Sequence, residues 1–156
     1  MVAASAGIAS GAGAPGSGTA PGSAWLVALT FDAGADRGYA VDILDLLRDQ
    51  HLLATFGVTG KWAKANPDLV QRMAAEHHLV VNHTDDHRSF TGWTVDSLGW
   101  KHLAAADIVR RCLDRAAPGA VYIFHVGGAS QDHLALERII PALRERGFGF
   151  TTIDRG

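Results

Sequence analysis

The sequence predicts an α/β fold built around a mostly parallel sheet. Two observations carry this prediction. From Trp25 onward, short apolar runs rich in strand-forming residues alternate with segments whose apolar residues recur at helical spacing. In addition, acidic residues or histidines stand at the ends of four predicted strands. Strands that alternate with helices lie parallel and are joined by right-handed crossovers, and such sheets carry their sites at the carboxyl ends of the strands.

Three strands and two helices are predicted in the first half of the chain. The strands are short apolar runs, and the first of them ends at Asp32. The first helix places Val41, Leu44 and Leu47 at helical spacing and its charged residues on the other face. Pro67 marks the start of the second helix, because proline is favoured in the first turn. In order, these elements cover residues 25–31, 39–50, 53–58, from 66 onward, and 79–81.

The second half of the chain continues the alternation after a histidine-rich loop. A short strand at Thr94-Val95-Asp96 precedes an amphipathic segment that ends at Pro118-Gly119. An apolar strand then leads to His125, and a long helix and a last strand follow. In order, these elements cover residues 94–96, 104–116, 121–124, 132–146 and 148–153.

Length, composition and charge exclude several classes of protein. A chain of 156 residues corresponds to one domain, or two at most. Its net charge of −2 supplies no basic surface for nucleic acid, and no apolar run reaches the roughly 18 residues of a transmembrane helix. The single cysteine, Cys112, excludes an internal disulfide framework and a multi-cysteine zinc site, and we expect it to be a packing residue.

Residues 1–24 differ in composition from the rest of the chain. They carry no charge and consist almost entirely of alanine, glycine, serine, proline and threonine, which predicts a flexible leader. The leader lacks the charged start and the apolar centre of a signal peptide. The predicted organisation is therefore a leader at 1–24 and a catalytic domain at 25–156.

The polar residues at the strand ends predict a catalytic site. Asp32, His83 with His87, Asp96 and His125 each stand at or just after a strand end. Because the carboxyl ends of parallel strands share one edge, we expect these side chains to lie together. Two histidines four residues apart, with a carboxylate and water, would satisfy a catalytic zinc ion, although solvated loop histidines would give the same pattern.

The two strand-end residues Asp32 and His125 suit proton transfer. Asp32 is a candidate general base or third metal ligand, and its alternative role is to cap the next segment. His125 is a candidate general acid that Asp96 would orient, and its alternative is a hydrogen-bonded core histidine. Trp93 and Trp100 flank Asp96 and suit either sugar stacking or core packing. Solvated surface positions are expected for His77, His78, His102 and His133.

Four segments contain these strand-end residues: Leu29-Thr30-Phe31-Asp32-Ala33-Gly34, Asn82-His83-Thr84-Asp85-Asp86-His87, Val95-Asp96-Ser97-Leu98-Gly99-Trp100 and Tyr122-Ile123-Phe124-His125. In this order they resemble motifs of the NodB-homology polysaccharide deacetylases, family 4 of the carbohydrate esterases. The first is similar to the family's TFDDG motif, the second to its H-(S/T)-x-x-H metal motif, and the others to its fourth and fifth motifs. The resemblance runs from about Trp25 to Ile153.

The resemblance implies a distorted (β/α) barrel and a metal-dependent hydrolase. It implies that His83 and His87 hold a divalent metal, usually zinc, that Asp32 activates water, and that His125, tuned by Asp96, protonates the leaving amine. The reaction implied is removal of N-acetyl groups from chitin-like or peptidoglycan glycans, or of O-acetyl groups in some relatives. The partner is therefore an acetylated polysaccharide or oligosaccharide, and the implied location is the cell envelope or exterior.

This sequence departs from the family pattern in two places. Ala33 replaces the second aspartate of TFDDG, the usual metal ligand, and Asp36 on the same loop is a candidate substitute. The family's third motif, with its arginine, has no counterpart between 90–93 and 94–96, which predicts an internal deletion and an incomplete or open barrel. Exposed sheet edges would then favour an oligomer. The alternative function is a catalytically impaired glycan-binding or structural relic, and a metal-binding module unrelated to the family is a third.

Overall fold

In the computed structural model, which describes residues 25–83 and 92–153, six strands form one sheet. All the strand pairs are parallel, which confirms the predicted fold class. The leader predicted at 1–24 and the candidate ligand His87 lie outside the described residues. The elements are β1 (Leu26–Ala33), α1 (Ala40–Asp49), β2 (Thr55–Val58), α2 (Gly60–Ala65), α3 (Pro67–Ala75), β3 (Leu79–Asn82), β4 (Val95–Asp96), a 3₁₀ turn (Gly99–Lys101), α4 (Ala105–Asp114), β5 (Val121–His125), α5 (Asp132–Glu145) and β6 (Gly149–Thr151).

The sheet is open at both ends within the part of the chain that the structure describes. Its strand order is β3-β2-β1-β5-β4, and β6 pairs with the first residues of β1. There, β3 pairs only with β2, and β4 only with β5. The sheet is therefore a parallel α/β sheet consistent with an incomplete barrel, as the sequence predicts.

The two faces of the sheet differ in chemistry. Alternate residues of β1 from Val27 to Ala33 belong to the apolar core, to which all five helices contribute. Phe31 lies near its centre and stacks on Phe56 and Phe124, with ring centroids 5.0 and 5.7 Å apart. Full burial of a side chain of this size stabilises the fold by about 2 kcal/mol. Because strand residues alternate between faces, Asp32 points to the side opposite this core.

Helix α2 and the 3₁₀ turn were not predicted from the sequence. The Thr59 side chain accepts a hydrogen bond from Trp62 N–H at 3.2 Å and so caps this helix. Trp62 is buried, and its Nε1 donates to Asp36 O at 2.7 Å. Six residues are too few to show an apolar period, so the threonine cap was the only available signal. Cys112 is buried in the core, as predicted, and burial raises the pKa of its thiol to about 12.

His78 is buried, and the expected surface position for it is wrong. Its Nδ1 accepts a hydrogen bond from Ala54 N–H at 3.2 Å, and its ring meets Phe56 edge-on. Burial lowers the pKa of His78, and Arg72 acts in the same direction, while Glu76, with Oε2 3.6 Å from His78 Nε2, opposes the shift. The folded chain therefore favours the neutral imidazole, whose Nδ1 can accept the Ala54 hydrogen bond.

Acidification below about pH 6.5, the ordinary pKa of histidine, is expected to destabilise the protein through His78. The unfolded chain then binds a proton that the folded chain does not, so the free energy of unfolding falls as the pH decreases, until the folded imidazole also titrates. Urea unfolding at several pH values should show that the free energy of unfolding depends less steeply on pH in His78→Asn, because asparagine does not titrate. His77→Asn, at an exposed neighbouring position, is the control. Equal pH slopes in all three proteins would contradict the prediction.

Candidate active site

A cleft of about 740 Å³ lies at the carboxyl ends of the strands, on the face opposite the apolar core. Asp32 pairs in register with His125, and Asp96 with Ile123, so their side chains project to the same face. His83 follows β3 directly, and its N–H donates to Val58 O at 2.9 Å. The residues of interest that line the cleft are Asp32, Asp36, His83, Trp93, Asp96, Trp100 and His125.

Asp32 lies between two imidazoles. Its Oδ1 is 3.5 Å from His83 Nε2, and its Oδ2 is 3.8 Å from His125 Nδ1. Oδ1 is buried and has no hydrogen-bond partner among the described residues. A buried carboxylate oxygen without a donor is costly unless a proton or a cation approaches it. Asp32 is therefore placed to accept a proton or to face a bound cation.

His125 and Asp96 form the second pair of the site. His125 Nε2 lies 3.2 Å from Asp96 Oδ1, which also accepts a hydrogen bond from Leu98 N–H at 2.8 Å. Burial of Asp96 opposes its ionisation, but the hydrogen bonds from His125 and Leu98 outweigh burial and lower its pKa. Asp96 is thus an ionised acceptor that orients the imidazole. Arg111 Nε donates to the backbone oxygen of Asp96 at 2.7 Å and holds this short strand from the helix side.

Of the other two predicted metal ligands, the structure describes Asp36 but not His87. Asp36 reaches the cleft, but its Oδ1 accepts a hydrogen bond from Gly128 N–H at 2.8 Å and so ties the loop after β1 to the loop after β5. His87 lies outside the described residues. Among residues 25–83 and 92–153 no cluster of three or more metal-ligating side chains is present. The ligand roles of His83, His87 and Asp36 therefore stay predictions.

Ala33 is fully buried in the apolar core. It alternates with Asp32 along β1, so its methyl group does not project into the cleft. The alanine that replaces the expected metal ligand is therefore an apolar residue in apolar surroundings.

Two tryptophans border the cleft with their rings accessible. Trp93 is 36% exposed and Trp100 is 53% exposed, which is inconsistent with core packing. Lys101 Nζ lies 4.9 Å from the centroid of the Trp100 ring. Exposed aromatic rings beside a polar cluster provide flat apolar surface for a ligand that also carries hydrogen-bonding groups.

Sequence comparison finds polysaccharide deacetylases among the proteins that this chain resembles. The sequence model of the family "Polysaccharide deacetylase" matches residues 20–122. The peptidoglycan-N-acetylglucosamine deacetylase of Bacillus cereus is 29% identical over 182 residues, covering 81% of this chain and 66% of that protein. The chitooligosaccharide deacetylase of Rhizobium leguminosarum bv. trifolii is 28% identical over 192 residues, covering 81% and 89%. Both alignments are longer than this chain of 156 residues.

Solved structures share the fold. The Bc1960 peptidoglycan N-acetylglucosamine deacetylase superimposes with a TM-score of 0.74 at 27% identity, covering 81% of this chain and 85% of that one. The Bacillus anthracis protein BA3943, called a pseudoenzyme of carbohydrate esterase family 4, superimposes with a TM-score of 0.73 at 20% identity, covering 83% and 64%. At that identity the second likeness shows the fold alone.

Proposed function

This chain belongs to the polysaccharide deacetylase family, and on that premise we propose that its cleft hydrolyses acetyl groups on an acetylated glycan. The observation that carries the proposal is the meeting of Asp32 with the Asp96–His125 pair on one face of the sheet. The relatives act, by their names, on peptidoglycan N-acetylglucosamine and on chitooligosaccharide, so the proposed substrate is an N-acetylated sugar polymer or oligomer. Release of acetate from such an oligosaccharide tests the proposal.

Each of these three residues has a distinct task in the proposed reaction. Asp32 takes a proton from the attacking water as its oxygen bonds to the acetyl carbon. His125 gives a proton to the sugar nitrogen as the carbon–nitrogen bond breaks, so that acetate and a free amine leave. Nδ1 of His125 faces Asp32, whereas Nε2 faces Asp96, so Nδ1 is the nitrogen that transfers the proton. Asp96 keeps the ring in this orientation and balances its positive charge.

His83 and His87, with Asp36 as a third candidate, would hold a divalent metal, which we propose to be zinc. Asp32 Oδ1 is buried, has no hydrogen-bond partner among the described residues and lies 3.5 Å from His83 Nε2, which supports a cation at this end of the cleft. When bound, the metal would act as a Lewis acid on the acetyl carbonyl and lower the pKa of a water molecule. The chain's own residues then position and protonate the reacting groups. Removal of the metal with a chelator is expected to stop acetate release.

Zinc titration by calorimetry is expected to show one tight site in the wild type. His83→Ala/His87→Ala should lose measurable binding, because neutral imidazole is a preferred zinc ligand. Asp36→Ala should weaken binding if its carboxylate completes the site, and unchanged affinity would exclude that role. His102→Ala, at an exposed position, is the matched control. A wild type that binds no zinc would contradict the metal-dependent mechanism.

One observation favours a second function. Ala33 stands where the family has a metal-ligating carboxylate, which is consistent with an impaired, glycan-binding or structural relic. Such a relic has no need of tight zinc binding or of proton transfer by Asp32, so zinc titration and acetate release separate the two functions.

The location and assembly of the protein are also proposals. We infer that the catalytic domain of residues 25–156 works at the cell envelope or exterior, where acetylated glycans occur. None of the helices among the residues that the structure describes is both long and apolar enough to cross a membrane. Strands β3 and β4, which each pair with one strand only among the described residues, would favour self-association, which light scattering would detect.

A further inference from the structure

A buried polar cluster lies beside the Asp96–His125 pair. It consists of Ser97, Ser130 and Asp132, and none of them was singled out by the sequence. The side chain of Asp132, at the start of α5, is fully buried. One of its oxygens, Oδ2, accepts hydrogen bonds from His125 N–H at 2.7 Å and from Ser97 Oγ at 2.9 Å. Because Ser97 follows Asp96 directly, this oxygen links both members of the pair.

Asp132 takes the place of a missing strand partner. On the side of β5 that faces β4, Thr94 N–H donates to Val121 O and Ser97 N–H to Ile123 O at 3.0 Å. His125 N–H comes next along this side, but β4 has only two residues and ends at Asp96. The Asp132 carboxylate accepts the N–H that the short strand does not pair. It therefore extends the contact between the two strands to the level of the site.

A glycine leaves the space that this carboxylate occupies. A Cβ atom at Gly99 would lie 2.6 Å from Asp132 Oδ2 and closer still to Ser130 Oγ. Gly99 N–H donates to Ser97 Oγ at 3.1 Å, and Asp132 N–H donates to Ser130 Oγ at 3.1 Å. The turn after Asp96 is thus packed directly against Asp132.

A carboxylate that fills this buried space loses its hydration, which is energetically unfavourable. Burial raises the pKa of Asp132, against the opposing effect of the hydrogen bonds from His125 N–H and Ser97. Its second oxygen, Oδ1, has no hydrogen-bond partner among the described residues. An apolar side chain would avoid this cost but would leave His125 N–H unpaired.

We propose that Asp132 is a positioning residue of the deacetylation site: its Oδ2 fixes the backbone of His125 and the turn after Asp96, so that the imidazole and the carboxylate stay within hydrogen-bond distance. The proposal rests on the proposed function, because proton transfer to the leaving amine is what requires this alignment. Asp132 touches neither substrate nor the reacting atoms. Its effect on the reaction passes through His125 and Asp96.

Two substitutions at Asp132 separate alignment from folding. Asp132→Ala removes the acceptor oxygen, and we expect kcat to fall about 10- to 100-fold with KM nearly unchanged, as for other outer residues that align a site. Asp132→Asn keeps an oxygen in place and should restore most of kcat. Amide hydrogen exchange at His125 should accelerate in Asp132→Ala and stay slow in Asp132→Asn. Wild-type kcat in Asp132→Ala despite rapid exchange at His125 would overturn the proposal.

A variant outside Asp132 keeps the proposal testable if Asp132→Ala does not fold. Gly99→Ala should displace the carboxylate and lower kcat in the same way, whereas Gly92→Ala, whose added Cβ has no atom of the described residues within 4 Å, should leave kcat unchanged. Equal kcat in the two glycine variants would count against the proposal. If the wild type releases no acetate, the proposed function fails, while faster exchange at His125 in Gly99→Ala than in Gly92→Ala would still support the positioning by Asp132.

Discussion

Asp32→Asn is expected to lower kcat by about 10²- to 10⁴-fold, the range that general base catalysis contributes. Asparagine has nearly the same size as aspartate but cannot accept the proton of the attacking water. The loss should appear in kcat, because the reaction and not the shape of the cleft depends on this oxygen. Steady-state acetate release measures it, and Asp49→Asn, at an exposed position of α1, is the matched control.

The same variant is expected to be at least as stable as the wild type. Asp32 Oδ1 is buried without a hydrogen-bond donor among the described residues, so loss of the charge removes a desolvation cost. A thermal melt of the metal-free proteins would show this. Wild-type kcat in a folded Asp32→Asn would exclude Asp32 as the base, and a strongly lowered melting temperature would show that its role is structural.

His125→Ala is expected to lower kcat on an N-acetylated oligosaccharide by a similar factor of about 10²- to 10⁴-fold. The reason is that a sugar amine is a poor leaving group unless it is protonated as the carbon–nitrogen bond breaks. An aryl acetate ester releases a phenolate that needs no proton, so its hydrolysis should fall much less. The ratio of the two rates therefore reports the acid role itself.

The matched control for this experiment is His102→Ala, which removes an exposed imidazole outside the cleft. It should leave both rates unchanged. An equal loss on the amide and on the aryl ester in His125→Ala would contradict the acid role and would indicate a general disturbance of the cleft.

The fold could be predicted from the sequence because its central strands β1, β2 and β5 are largely buried and lie parallel. Residues on both faces of β1 and β5 are buried over most of the strand length, so these strands are continuous apolar runs in the sequence. In the longer helices between the strands, apolar residues recur at helical spacing. Helix α2 was missed because it is only six residues long, and its evidence is a single threonine cap. The burial of His78 was missed because its acceptor role depends on Ala54, a residue distant in sequence.

The residues of the candidate site that lie at strand ends could be predicted from the sequence. Asp32, Asp96 and His125 meet because register and alternation bring paired strand ends to one face. Asp132 was not predictable, because an aspartate in the first turn of a helix is ordinary and its hydrogen bonds reach His125 and Ser97 across the fold. The requirement for a glycine at position 99 could not be predicted either, because it arises from the close approach of Asp132, which is a tertiary contact.

The proposed hydrolytic site of Asp32, Asp96 and His125 is tested most directly by acetate release from an N-acetylated chitooligosaccharide. The protein is loaded with zinc, and new amines are counted in the same samples. We expect equal amounts of acetate and amine from the wild type and almost none from Asp32→Asn. Acetate release by the folded, zinc-loaded wild type that is no faster than by Asp32→Asn would contradict a hydrolytic role for this site.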